Sequence, residues 1–145
     1  MNFIQDEIEE VAHSLHLDVT LVPTSEAQQL REQVLVKFTN GHGSTFLWED
    51  LLGDVSIQDA DGRLWIGELV GGAPAIMFFN VYQDPAMFLF ADGTQIQPLI
   101  AECTRFEFYL TGLSTNYLLA SNHHNFVIAA GDAVEWLRRR ETDTA

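Results

Sequence analysis

Residues 105–131 read RFEFYLTGLSTNYLLASNHHNFVIAAG, and three successive runs in this stretch have the character of β-strands. Apolar and polar side chains alternate through RFEFYLT at 105–111, which is the period of a strand. GLST then turns the chain, and NYLLAS at 116–121 and NFVIAAG at 125–131 are apolar runs next to turn-forming residues. The stretch therefore predicts neighbouring strands of a sheet, with the segment NHHN between the last two.

Helical periodicity marks both ends of the chain. Apolar residues recur every three or four positions over 3–15, with Asp and Glu on the other side, which predicts an amphipathic helix. A second helix is predicted over 25–38, which opens with the capping-box pattern S-x-x-Q. A final helix is predicted over 132–140, and residues 141–145 are predicted to form a polar tail.

Further strands are predicted between these helices. DVSIQ at 54–58 alternates, and PAIMFFNVY at 74–82 and MFLFADG at 87–93 are apolar runs that predict a hairpin in the centre of the sheet. A short helix interrupted by proline, with Thr94 as its cap, is predicted next. The pattern predicts one α+β domain over residues 1–140, with an antiparallel or mixed central sheet, helices packed on one side, and helices at both termini.

The chain is strongly acidic. It contains 21 Asp and Glu residues against 7 Lys and Arg residues, which gives a formal net charge of -14. This charge disfavours nucleic acid and anionic membranes as direct ligands, and it would steer a basic partner towards the protein. Acidity also promotes solubility in the absence of any partner, so the charge alone does not name a function.

The cysteine content and the N-terminus bear on the compartment. Cys103 is the only cysteine, so neither an intramolecular disulfide nor a cysteine metal cluster can form. MNFIQDEIEE lacks the basic and apolar regions of a signal peptide, and no apolar run approaches the roughly 20 residues of a membrane-spanning helix. These features predict a cytoplasmic protein.

His123 and His124 are the most chemically suggestive pair. Adjacent side chains on a strand point to opposite faces, and no H-E-x-x-H or H-x-H spacing supplies a third zinc ligand. A nucleophilic triad would need Ser121 or Cys103 against an imidazole, with an acid such as Glu107 orienting the base, and no G-x-S-x-G elbow is present. The pattern favours side chains that satisfy backbone groups at a turn, with no metal, cofactor or catalytic residue. The alternative is an enzyme or small-ligand-binding protein with a pocket near Asn122–His124.

The C-terminal part of the chain resembles the C-terminal half of small bacterial proteins similar to the SUKH superfamily. The matching segments are FEFYLT, NYLLASNHHNFVIAAG and the helix after them, with Trp136 and Leu137. In that group an aromatic strand precedes a strand ending in an Asn-His-His or His-Asp-like motif, a glycine and a closing helix. Many SUKH members are immunity proteins that bind and neutralise toxin domains, nucleases among them. The resemblance implies an α+β fold and a binding role without catalysis. It rests on Tyr117, Asn122, His123, His124 and Gly131.

The charge and the resemblance together predict an acidic, immunity-type module that occludes a basic toxin domain. Acidic side chains would meet Lys and Arg on the partner and mainly raise the association rate, and two tryptophans would act as anchors. A homodimer or scaffold subunit is a further alternative, and the oligomeric state stays open. The predicted partner-binding residues are Trp48, Glu49, Asp50, Asp54, Asp59, Asp61 and Trp65.

Overall fold

The computed structural model describes residues 3–39 and 49–144, and its centre is an antiparallel sheet. Seven strands lie in the order β1-β4-β3-β5-β6-β7-β2, so β5 is the central strand. Consecutive strands β3 and β4, β5 and β6, and β6 and β7 pair as neighbours. The strands are β1 (Val19–Leu21), β2 (Val55–Gln58), β3 (Ala75–Phe78), β4 (Met87–Phe90), β5 (Phe108–Thr111), β6 (Tyr117–Ser121) and β7 (Phe126–Gly131).

Helices cover both faces of this sheet. Ile8 of α1, Leu99 of α3 and Leu137 of α4 belong to one buried cluster, whereas Val34 and Phe38 of α2 belong to a second cluster on the opposite face. The structure is therefore a sheet between two helical layers. The helices are α1 (Phe3–Ser14), α2 (Thr24–Phe38), α3 (Ile96–Glu102) and α4 (Val134–Thr144).

The predicted α+β class, antiparallel pairing and terminal helices are confirmed. The one-sided packing of helices holds for α1, α3 and α4, but not for α2. The reason is visible in β5, where Phe108 and Leu110 face the first cluster and Tyr109 faces the second. Tyr109 is 1% exposed and its ring stacks on Phe78 with the centroids 5.2 Å apart, so both faces of the strand are buried.

Several predicted details are wrong. The β3–β4 hairpin lies to one side of the centre of the sheet, because β5 occupies the middle. The polar residues after Arg140 continue α4 to Thr144 instead of forming a tail. The side chain of Asp92, not that of Thr94, caps the helical segment that leads into α3, since it accepts a hydrogen bond from the Thr94 N–H.

Candidate partner-binding surface

The turn between β6 and β7, residues 121–126, is here called the histidine turn. The Asn122 Oδ1 accepts hydrogen bonds from the backbone N–H groups of His124 and Phe126, both at 3.0 Å. Asn125 has φ +64°, a left-handed conformation that asparagine tolerates better than most residues. Asn122 therefore has the structural role at a turn that the sequence predicts for it.

A buried carboxylate on β5's flank fixes the orientation of His123. Glu107 is 4% exposed, and its Oε2 accepts a hydrogen bond from the His123 backbone N–H at 3.0 Å and lies 2.6 Å from the His123 Nδ1. We assign the Nδ1 proton to this contact because an ionised carboxylate can only accept. The other oxygen, Oε1, is buried and has no hydrogen-bond partner among the described residues. The imidazole is 52% exposed, and its ring lies 3.9 Å from that of His124.

Glu107 thus takes the place of a triad acid at His123, but neither candidate nucleophile is both exposed and activated. Ser121 is 7% exposed within β6, and burial raises the pKa of the Cys103 thiol to about 12, which disfavours the reactive thiolate. Within residues 3–39 and 49–144, no three His, Cys, Asp or Glu side chains converge as a metal-ligand set. The described cavities open elsewhere, beside Asp132, on α2, and between α1 and β1.

Residues 59–62, here called the acidic turn, lie directly beside the histidine turn. The Asp59 N–H donates to the carbonyl oxygen of Asn125 at 2.8 Å. Arg105 joins the two turns, since its Nη1 donates to the Asn125 Oδ1 at 2.6 Å and its Nη2 donates to the Ala60 carbonyl at 2.7 Å. The Asp59 and Asp61 residues are exposed, so the two turns together present carboxylates and imidazoles on a backbone held by hydrogen bonds.

The predicted acidic residues fall into two groups at opposite ends of β2. Asp59 belongs to the acidic turn, whereas Asp54 precedes the strand at the end where Val55 pairs with Ala129. The four residues of β2 lie between Asp54 and Asp59, and the five steps of extended chain span about 16 Å. Exposed Glu49 and half-buried Asp50 precede Asp54 in the chain.

Trp65 is not the exposed anchor that the sequence predicts. Trp65 is 9% exposed; its ring lies 6.3 Å from that of Trp136, and the guanidinium of Arg140 covers it at 4.1 Å. Its ring is therefore part of the core and cannot be an exposed anchor. Trp48 lies outside the described residues.

The remaining motif residues, Tyr117 and Gly131, are register partners at the other end of the β6–β7 hairpin. Tyr117 is 7% exposed, and burial raises the pKa of its hydroxyl. Gly131 has φ +64°, and a Cβ there would lie 2.7 Å from both the Asn116 carbonyl oxygen and a ring carbon of Phe38. Both residues thus occupy packing positions.

Sequence reasoning missed the use of the basic side chains. The Lys37 Nζ donates to the Ser114 carbonyl at 2.8 Å, to the Thr115 carbonyl at 3.2 Å and to the Thr115 Oγ1 at 2.6 Å. Arg31 donates to two backbone carbonyls, and burial lowers the pKa of its guanidinium while the nearby Asp84 opposes the shift. No pattern in the sequence marks these long-range contacts.

Arg63 and Arg140 are used in the same way. The Arg63 Nη1 donates to the Ile100 carbonyl at 2.8 Å, and Arg140 donates to Glu68 while covering Trp65. On the surface of α4, Arg138 makes an i,i+3 ion pair with Glu135.

No family model, curated protein or solved structure matched this chain. No helix in the described ranges is both long enough and apolar enough to cross a bilayer.

Proposed function

We propose that this protein binds a basic protein partner in the cytoplasm and neutralises it by covering its functional surface, as immunity proteins do with toxin domains. The partner class follows from the charge and from the resemblance of residues 105–131 to SUKH-like proteins. The compartment follows from the single cysteine and the absence of a long apolar run in the sequence.

The observation that carries this proposal is the excess of exposed carboxylates over exposed basic side chains. Five of the seven basic side chains donate to oxygen atoms of residues far away in the chain, as described above for Lys37 and four arginines, and Lys37 and Arg105 remain exposed while they do so. Most acidic side chains are exposed, and among the described residues only Asp84 and Glu107 are buried. The exterior therefore carries many more negative than positive groups, and such a field accelerates association with a basic surface.

The acidic turn and the histidine turn are the best-supported contact region. Their backbones are tied together by Asp59 and Arg105, so the backbone that carries the exposed Asp59 and Asp61 carboxylates is ordered before a partner arrives. Preorganisation of this kind reduces the entropy lost on binding. His123 and His124 lie in the same region and supply aromatic surface.

The test is co-expression and co-purification with a basic toxin domain encoded by the adjacent gene. We expect protection of the cells and a complex whose association rate falls as salt is added. Absence of protection, or absence of a complex at low salt, would refute the proposal.

A matched pair of double variants locates the contact. Asp59→Asn with Asp61→Asn should slow association several-fold, because charges that face the partner dominate steering. Glu26→Gln with Glu32→Gln removes the same charge from the exposed side of α2 and should have a smaller effect. Equal effects of both pairs would mean that only the overall field matters and would remove the acidic turn from the proposed surface.

A further inference from the structure

A cavity of about 400 Å³ opens beside Asp132, at the end of the sheet opposite the histidine turn. Leu69, Val70 and Pro74 line one wall, and Leu113 and Tyr117 line the other. This volume is within the range of natural ligand pockets, and walls of this kind suit the aliphatic part of a ligand.

The polar groups of the cavity form a hydrogen-bonded chain. The Ser114 Oγ donates to the Asn116 Oδ1 at 3.0 Å, and the Asn116 Nδ2 donates to the Asp132 Oδ2 at 3.1 Å. The exposed Asp132 carboxylate retains further acceptor positions, since an ionised carboxylate can accept about four hydrogen bonds. Among the described lining residues Asp132 is the one charged group, so the cavity favours a cation.

Both sides of the cavity are held by contacts from outside it. Lys37 holds the β5–β6 loop, residues 112–116, through the three hydrogen bonds to Ser114 and Thr115. On the other side, the Gly93 N–H donates to the Ala73 carbonyl at 3.0 Å. The cavity is therefore formed before any ligand binds, which is the property expected of a binding site.

We propose that this cavity receives an arginine side chain of the basic partner, an inference that rests on the proposed function. The aliphatic stem packs against Leu113 and Val70, and the guanidinium donates to the Asp132 carboxylate. A guanidinium suits this position better than an ammonium group, because its planar pair of N–H groups matches the two oxygens of a carboxylate.

In the first test, N-butylguanidinium is titrated into the protein as a probe, and its binding is measured from shifts of the backbone amide NMR resonances. We expect shifts at residues 112–117 and 131–133 that saturate in the millimolar range, and about tenfold weaker binding of the neutral isostere N-butylurea. Equal binding of the two probes, or shifts at other residues, would overturn the inference. Tighter binding of N-butylammonium would assign the cavity to lysine and overturn the choice of arginine.

The second test compares two variants that each remove one negative charge. Asp132→Asn keeps an acceptor for Asn116 and should reduce probe affinity to that for N-butylurea. Glu135→Gln, on the exposed side of α4, should leave it unchanged within about twofold. Unchanged probe binding by Asp132→Asn would overturn the inference.

The affinity of the same two variants for the basic partner distinguishes this inference from the proposed function. Asp132→Asn should weaken the complex by about tenfold, whereas Glu135→Gln should not. A complex of full affinity with Asp132→Asn would overturn the inference and leave the proposed function standing. Absence of any complex with the wild-type protein would overturn both.

Discussion

Replacement of Lys37 by methionine tests whether the basic side chains hold the fold together. Methionine keeps most of the aliphatic length and removes only the charged donor. The three hydrogen bonds to Ser114 and Thr115 would then be lost from a loop in which Thr115 is fully buried. Hydrogen bonds from a charged donor to such groups contribute about 1.5–3 kcal/mol to stability. For a chain of this length that loss corresponds to a fall of roughly 5–10 °C in Tm.

The matched control is Arg139→Met, which makes the same change in net charge. Arg139 is exposed, and no hydrogen bond or ion pair involves it within the described part of the chain. A surface substitution of this kind changes stability by about 0.5 kcal/mol or less. Both variants are measured by urea unfolding followed by circular dichroism, with the m-value checked for constancy.

The result that refutes the reasoning is a small difference between these two variants. Lys37 lies in the last turn of α2, where a cation interacts favourably with the helix dipole by up to about 1 kcal/mol. If Lys37→Met is less stable than Arg139→Met by no more than that amount, the dipole accounts for the loss and the three hydrogen bonds do not stabilise the fold.

Three further predictions concern stability measured by urea unfolding. Gly131→Ala should lower the free energy of unfolding by about 2–4 kcal/mol, because the new Cβ is crowded and the residue has a positive φ. Gly71→Ala has φ +53° but no atom within 4 Å of the new Cβ, so it should lower the free energy of unfolding by only about 1 kcal/mol. Equal losses in the two variants would contradict the role of crowding at Gly131. Stability should fall as pH rises above about 9, because the Cys103 thiol loses its proton at a lower pH in the unfolded chain than in the folded protein, where its pKa is about 12. If Cys103→Ala leaves the slope of stability against pH unchanged, this thiol is not the cause. His123→Ala should lower the free energy of unfolding by about 1.5–3 kcal/mol, because the buried Glu107 carboxylate loses a hydrogen-bond partner. The double variant with Glu107→Gln should recover part of that loss. A double variant no more stable than His123→Ala would contradict the pairing of these two side chains.

The sequence was sufficient for the elements whose signal is local. The strands of residues 105–131 follow from alternation and turn chemistry, and α1 and α2 follow from apolar spacing. The side of the sheet that α2 covers does not follow from the sequence, because simple alternation in its strand puts Tyr109 on the polar face, whereas its ring packs against Phe78. A tyrosine side chain is stable both in a buried layer and at the surface, so its residue type does not predict whether it points to the core or to solvent.

The site was less predictable, because its contacts join residues that are far apart in the chain. Arg105 reaches Ala60, and Lys37 reaches Thr115, through hydrogen bonds that leave no periodic signal. The Asp132 cavity offered one usable clue. A hairpin centred on the NHHN segment would place Asn116 opposite Gly131, one residue short of the observed register. In that register Tyr117 lies opposite Gly131, so Asn116 comes opposite Asp132 just beyond the strand ends.

The excess of acidic over basic side chains also determines what compensates the charge of the protein. With 21 Asp and Glu residues against 7 Lys and Arg residues, basic side chains can pair with only a minority of the carboxylates, so mobile cations from solution balance most of the net charge. A basic surface that docks on such carboxylates displaces loosely held ions and water. Release of those ions favours association entropically, as it does when proteins neutralise a polyanion.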